Sequence, residues 1–156
     1  MERNSIIPAS YGIFTHDDKI LLVKRANSGY FDGYYSLPAG HVEEHEQPLA
    51  ALQREMEEEL GVVVRSDNVS LLTTSYRVLP DQKDRIDFFF LIQAFEGEIT
   101  NREPHKNEEL LWASLDELPE NIIPYISEVL QSVVRGESFI QSAAYYGYHG
   151  RFTIGI

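Results

Sequence analysis

The 156 residues, 43% hydrophobic and 24% charged, suffice to bury a substantial core and read as one domain spanning 1–156. A formal net charge of −12 argues against electrostatic binding to a nucleic-acid polymer or an anionic membrane, and zero cysteines exclude disulfides, thiolate metal sites and a cysteine nucleophile. No apolar run is long enough to span a bilayer, and no apolar stretch follows a basic start in "MERNSIIPAS", so a cytoplasmic protein is expected.

From the N-terminus, "SIIPASYGIF" and "THDDKILLVKRA" predict two strands joined by a turn at His16-Asp17-Asp18. A loop, "NSGYFDGYY", leads to "SLPAGH", an extended piece bent by Pro38 and Gly40. Pro48 suits a first helical turn. Leu49, Leu52, Met56 and Leu60 then share a face, and Gly61 stands where a helix stops. Three β-rich runs follow: "VVV", "NVSLLTTSYRVL" and "RIDFFFLIQAF". The loop "EGEITNREPHKNEE" separates them from "LLWASLDELP", and "IIPYISEVLQSVVRG" predicts a second helix of about four turns. The tail "FIQSAAYYGYHGRFTIGI" reads as a packed tail, a short strand or an ordered flap. Strands interrupted by two separated helices imply an α/β or α+β fold with a mixed sheet under helices.

The first helix carries "EMEEEL", although like charges one turn apart repel by a few tenths of a kcal/mol. Residues three or four apart on a helix lie within roughly 60° of one another around the axis, so Glu55, Glu58 and Glu59 share one flank and Glu57 points to solvent. Taken alone, such a fragment is most often a solvated face. It also suits a hard divalent cation, which takes a few carboxylates and keeps places for water and phosphate oxygens.

Spacing separates these readings. Gly40, five residues, Glu46, seven residues, then Arg54-Glu55-Met56-Glu57-Glu58-Glu59-Leu60-Gly61-Val62 fills all 23 positions of G-x5-E-x7-R-E-U-x-E-E-x-G-U, where U is a bulky aliphatic. The chain thus resembles the Nudix hydrolases, most of all their small MutT-like members. The resemblance implies an α/β/α sandwich on a mixed β-sheet and a Mg²⁺-dependent (or Mn²⁺-dependent) pyrophosphohydrolase of nucleoside diphosphates linked to another group. It implies that Glu55, Glu58 and Glu59 are metal ligands with the Ala39 carbonyl, that Arg54 orients a box carboxylate, and that Glu46 braces the loop onto the helix, with Gly40 and Gly61 as structural glycines. It further implies a catalytic base among the box glutamates or a later loop, where Glu108 or Glu109 is favoured over Glu103. The expected substrate is a (deoxy)nucleoside triphosphate, oxidised or not. ADP-ribose, a sugar nucleotide or a dinucleoside polyphosphate is the alternative, and a non-catalytic nucleotide-sensing module a further one. A homodimer is compatible with this reading.

Other residues are candidates for substrate contact. Gly40 and His41 lie in the loop before the helix; His41 and His45, four apart but lacking further nitrogen or sulfur ligands, do not make a zinc site. Lys24 and Arg25 end the second strand, where a cation could meet phosphate. Tyr30, Phe31, Tyr34, Tyr35, Tyr76 and Phe88 offer rings for stacking, although aromatics in strands more often fill a core. Arg85 and Asp87 fall on one strand face, as a polar ligand edge or as part of a cross-strand ion pair.

Overall fold

Residues 5–79, 82–145 and 148–154 are described by a computed structural model, from 142 onward by backbone alone. Strands β1 (Ile6–His16) and β2 (Lys19–Arg25) form the expected hairpin. Asp17 and Asp18 both take positive φ, 47° and 59°, which matches the twist of a two-residue hairpin turn and suits short polar side chains.

Short strands β3 (Tyr35–Ser36) and β4 (Ala39–His41) then lead into helix α1 (Pro48–Leu60). A 3-10 turn at Ser66–Asn68 precedes β5 (Val69–Val78) and β6 (Asp84–Ile92). Strand β7 (Asn107–Ser114), helix α2 (Pro124–Val134), β8 (Phe139–Tyr145) and β9 (Tyr148–Ile154) complete the order.

The strands lie in the order β3-β2-β1-β6-β5-β8-β9, with β4 on β1 and β7 on β2. The β1–β6 and β5–β8 pairs are parallel and the others antiparallel, so the sheet is mixed. Adjacent strand residues point to opposite faces, and here both faces are apolar. Ile13, Ile20, Leu22 and Phe89 pack under Ile126, Val129 and Leu130 of α2, whereas Phe14, Leu21 and Phe90 pack under Leu52, Met56 and Leu60 of α1. The architecture is helix, sheet, helix. Truncating one of these buried leucines to Ala would cost about 2–5 kcal/mol.

At the C-terminus of α1, Gly61 takes φ 74°, and its N–H and that of Val62 close on the carbonyls of Glu57 and Met56. This left-handed residue aims the chain away and ends the box helix at the expected place.

Three expectations need correction. "VVV" forms no strand beyond a single bridge from Val63 to Glu96, because only Val62 and Val64 are turned into the core. Helix α2 spans 11 residues, about three turns, since Ile123, which precedes Pro124, is held out of the helical region at ψ 123°, and Gly136 beyond the C-cap takes φ 74°. Asn107, Glu108 and Glu109 are strand, not loop, because β7 continues pairing with β2 as far as Arg25↔Asn107. The tail forms two strands, of which β8 extends the sheet beside β5. Among the described residues no helix is long and apolar enough to cross a membrane.

Candidate active site

Arg54 organises the carboxylate flank. Its Nε and Nη2 donate to the two oxygens of Glu46 at 2.9 and 3.0 Å, and its Nη1 donates to Glu55 Oε1 at 2.7 Å. Nη2 also reaches the His41 carbonyl at 3.1 Å, and Glu58 Oε2 lies 3.5 Å from Nη1. Glu46 in turn accepts the Glu43 N–H at 2.9 Å and is held below the usual carboxylate range, first by Arg54. One guanidinium therefore fastens the loop before α1 to the helix and aims one glutamate.

Glu55 lies against Gly40 so closely that any Cβ at position 40 would overlap its carboxylate. Burial raises the Glu55 pKa, with Arg54 opposing. Glu59 is pushed further, to about 8, first by burial and then by the charges of Glu55 and Glu103. The Ala39 N–H and the Asn107 amide pull the other way, but the amide falls short of hydrogen-bond geometry, since Asn107 Nδ2 and Glu59 Oε2 are both buried without a partner. A buried carboxylate oxygen with nothing to bind is a place for a cation. Among the described residues no three His, Cys, Asp or Glu side chains form a ready-made cage. Oxygen donors only, with one of them orphaned, fit a hard divalent ion.

A cavity of about 420 Å³ opens beside this flank, lined on one side by Ala39, Gly40, Glu55 and Glu59. The rest of its polar lining includes four cations, Arg25, Arg77, Arg85 and Lys106, together with His41, Ser28 and Ser36, and Tyr11, Ile123 and Tyr125 supply apolar surface. The sheet explains the grouping. Arg77 on β5 is directly opposite Arg85 on β6, and Asp87 is opposite both Ser75 and Ala9, so these side chains share a face. Arg77 donates through Nε and Nη2 to Asp87 Oδ2 at 3.0 and 2.8 Å, and the Tyr125 hydroxyl donates to the same oxygen at 2.6 Å. The Arg77 guanidinium also lies 3.6 Å from the Tyr125 ring centre.

The family model for the NUDIX domain matches residues 7–133. The chain belongs to the Nudix family. It is 33% identical over 111 residues to an ADP-ribose pyrophosphatase of Methanocaldococcus jannaschii, covering 69% of this chain and 62% of that protein. It is 28% identical over 102 residues to an 8-oxo-dGTP diphosphatase of Proteus vulgaris, covering 65% of this chain and 88% of the relative. The crystal structure of a MutT Nudix hydrolase from Burkholderia pseudomallei superimposes with a TM-score of 0.74 at 29% identity, over 82% of this chain and 98% of that one. The chain is a Nudix hydrolase of the MutT-like kind, with an α/β fold.

The Nudix cavity gathers Ala39, Gly40, His41, Glu55, Glu59, Arg25 and Arg85 from the sequence candidates. Glu58 stays outside it, its side chain 55% exposed. Glu103, Glu108 and Glu109 are not in the lining either. Glu108 Oε1 lies 2.8 Å from Lys24 Nζ, and Glu109 Oε2 accepts from the Tyr35 hydroxyl at 2.8 Å. Tyr35 is buried and lies off the cavity, its hydroxyl spent on that bond. The acid whose charge reaches the box is Glu103, paired with Lys106 Nζ at 2.8 Å.

Of the proposed stacking rings only Tyr30 borders the cavity; Phe88 packs with the α1 core, and Tyr76 donates to Asp84 at 3.0 Å. Of the two readings of Arg85 and Asp87, Asp87 enters a cross-strand ion pair, with Arg77, and Arg85 Nη1 is left 3.5 Å from His41 Nε2. Reading the sequence missed Arg77, Lys106, Tyr11 and Tyr125. A lone arginine in the otherwise uncharged run "TTSYRVL" was the available signal for the first.

Proposed function

We propose that this Nudix hydrolase is a Mg²⁺-dependent pyrophosphohydrolase of nucleoside triphosphates, oxidised or not, which releases the monophosphate and pyrophosphate. The observation that carries the reading is the composition of the cavity: two box carboxylates, Glu55 and Glu59, face four cations, Arg25, Arg77, Arg85 and Lys106, in a protein of net charge −12. A triphosphate chain bears enough charge to engage both sides at once. One relative is named for a triphosphate substrate and another for ADP-ribose, and the abundance of cations here favours the former.

A divalent cation bound by Glu55, Glu59 and the Ala39 carbonyl would polarise phosphoryl oxygens and acidify water. The chain does the rest. Arg54 keeps the Glu55 carboxylate turned toward Gly40, and the missing side chain at Gly40 leaves room for it. Arg25 and Lys106 draw the phosphates into the cavity. Glu103, with Lys106 beside it and its charge felt at both Glu55 and Glu59, is the carboxylate we assign to take the proton of the attacking water. Residues 1–156 act as one catalytic unit, and a chain without cysteine suits the cytoplasm.

The test is product analysis by ³¹P NMR over a panel of nucleoside triphosphates and ADP-ribose, with Mg²⁺ and with excess EDTA. Monophosphate plus pyrophosphate, formed only with the metal, is expected. Release of orthophosphate from the triphosphates, turnover confined to ADP-ribose, or full activity in EDTA would overturn the reading.

A further inference from the structure

Arg77 and Arg85 stand directly opposite each other on adjacent antiparallel strands and border the same cavity. Like charges in that position are destabilising. The carboxylate beside them, Asp87, is completely buried and spends Oδ2 on Arg77 and on the Tyr125 hydroxyl, while its Oδ1 has no partner among the described residues. It therefore does not neutralise Arg85. Among the described residues Arg85 makes no ion pair, and its Nη1 lies 3.5 Å from His41 Nε2.

Arg77 is 8% exposed and clamped against Tyr125, yet its Nη1 makes no hydrogen bond among the described residues. Two guanidinium groups, one rigidly aimed and one unpaired, converge on one wall with more positive charge than the fold balances. A neutral planar ring would leave the Arg85 charge uncompensated. An anion would satisfy both groups, as a bidentate acceptor for guanidinium donors.

We propose that Arg77 and Arg85 form an anion subsite on the β5–β6 side of the cavity, which holds a phosphate or carboxylate of the substrate other than the oxygens held at Glu55 and Glu59. The subsite depends on the proposed reaction for its role in turnover and is independent of it for binding. Two sources share this chemistry: the terminal phosphate of a polyphosphate chain, and an acidic group on the moiety linked to a nucleoside diphosphate.

The test uses the full chain, and Arg85→Gln and Arg85→Lys as variants, because Arg85 is only half-buried whereas a change at Arg77 could disturb the core. Inorganic phosphate is titrated into protein kept in excess EDTA and followed by amide NMR. Shifts around residues 41, 77 and 85 are expected, with affinity falling about 10–100-fold in Arg85→Gln and less in Arg85→Lys. Kinetics then compare two matched pairs, a nucleoside triphosphate against its diphosphate and UDP-glucuronate against UDP-glucose. A preference for the anionic member that shrinks at least tenfold in Arg85→Gln supports the proposal and, by the pair concerned, identifies the source. Phosphate shifts absent from this wall, affinity unaltered by Arg85→Gln, or unaltered preference in both pairs would overturn it. If neither pair is turned over, the proposed reaction fails, and the titration alone decides the subsite.

Discussion

Arg54 grips Glu46 with two parallel hydrogen bonds, 2.9 and 3.0 Å long, across the junction between the loop that starts at Gly40 and the second turn of α1. The same guanidinium aims Glu55 from a third nitrogen. A lysine keeps the charge but has no fork and can serve only one of these carboxylates at a time. Arg54→Lys is expected to lower kcat/KM by about 10–100-fold through weaker metal binding, with the fold retained. Metal titration of activity in wild type and variant checks this. An unchanged half-saturating Mg²⁺ concentration would contradict a positioning role.

Glu59 and Glu57 test the helical geometry. Glu59 is partly buried beside the cavity with an unpartnered buried oxygen, whereas Glu57 is exposed on the other side of the helix. Glu59→Gln removes a ligand charge at constant size and should reduce kcat about 100-fold or more, while Glu57→Gln should change it little. Steady-state kinetics at saturating Mg²⁺ decide, and equal losses would refute the assignment of faces.

The raised pKa of Glu59 predicts a pH dependence of stability in the metal-free protein. Its value of about 8 lies above the ordinary carboxylate value of 4.5, so the folded state binds this proton more tightly than the unfolded chain does. The stabilising contribution is complete below about pH 4.5 and is lost as pH rises toward and through 8. In EDTA the Tm of wild type should therefore decline across this window relative to that of Glu59→Gln, which carries no titrating group there. Added Mg²⁺ should recover more stability at pH 8 than at pH 5, since metal replaces the proton. Thermal melts of both proteins across pH, with and without Mg²⁺, provide the check; parallel curves would refute the link to Glu59.

Three acids compete for the role of base. All three lie outside the cavity lining; Glu108 and Glu109 are engaged by Lys24 and Tyr35, whereas Glu103 couples electrostatically to the box. Glu103→Gln should lower kcat by about 10²–10⁴-fold with a smaller effect on KM, and the same change at 108 or 109 should cost much less. Rate profiles against pH for the three single variants discriminate. A severe loss at Glu108 or Glu109 alone would return the base to β7.

What the sequence determined by itself was local. The spacing from Gly40 to Val62 specified a helix, its stop at Gly61 and the flank shared by Glu55 and Glu59, because a helix fixes the angle between residues three or four apart whatever surrounds it. The Asp17-Asp18 hairpin was legible for the same reason: a two-residue turn is its own context. The surroundings of the acids outside the box could not be read this way. Asn107–Glu109 became strand through pairing with β2, more than eighty residues earlier in the chain, and strand pleating then turned adjacent side chains to opposite faces. Likewise the carboxylate of Asp87 went to Arg77 and not to Arg85, because the β5–β6 register, absent from either segment alone, set the two arginines side by side. Charges in sequence reveal what must be balanced, but only the tertiary register decides which partner is within reach.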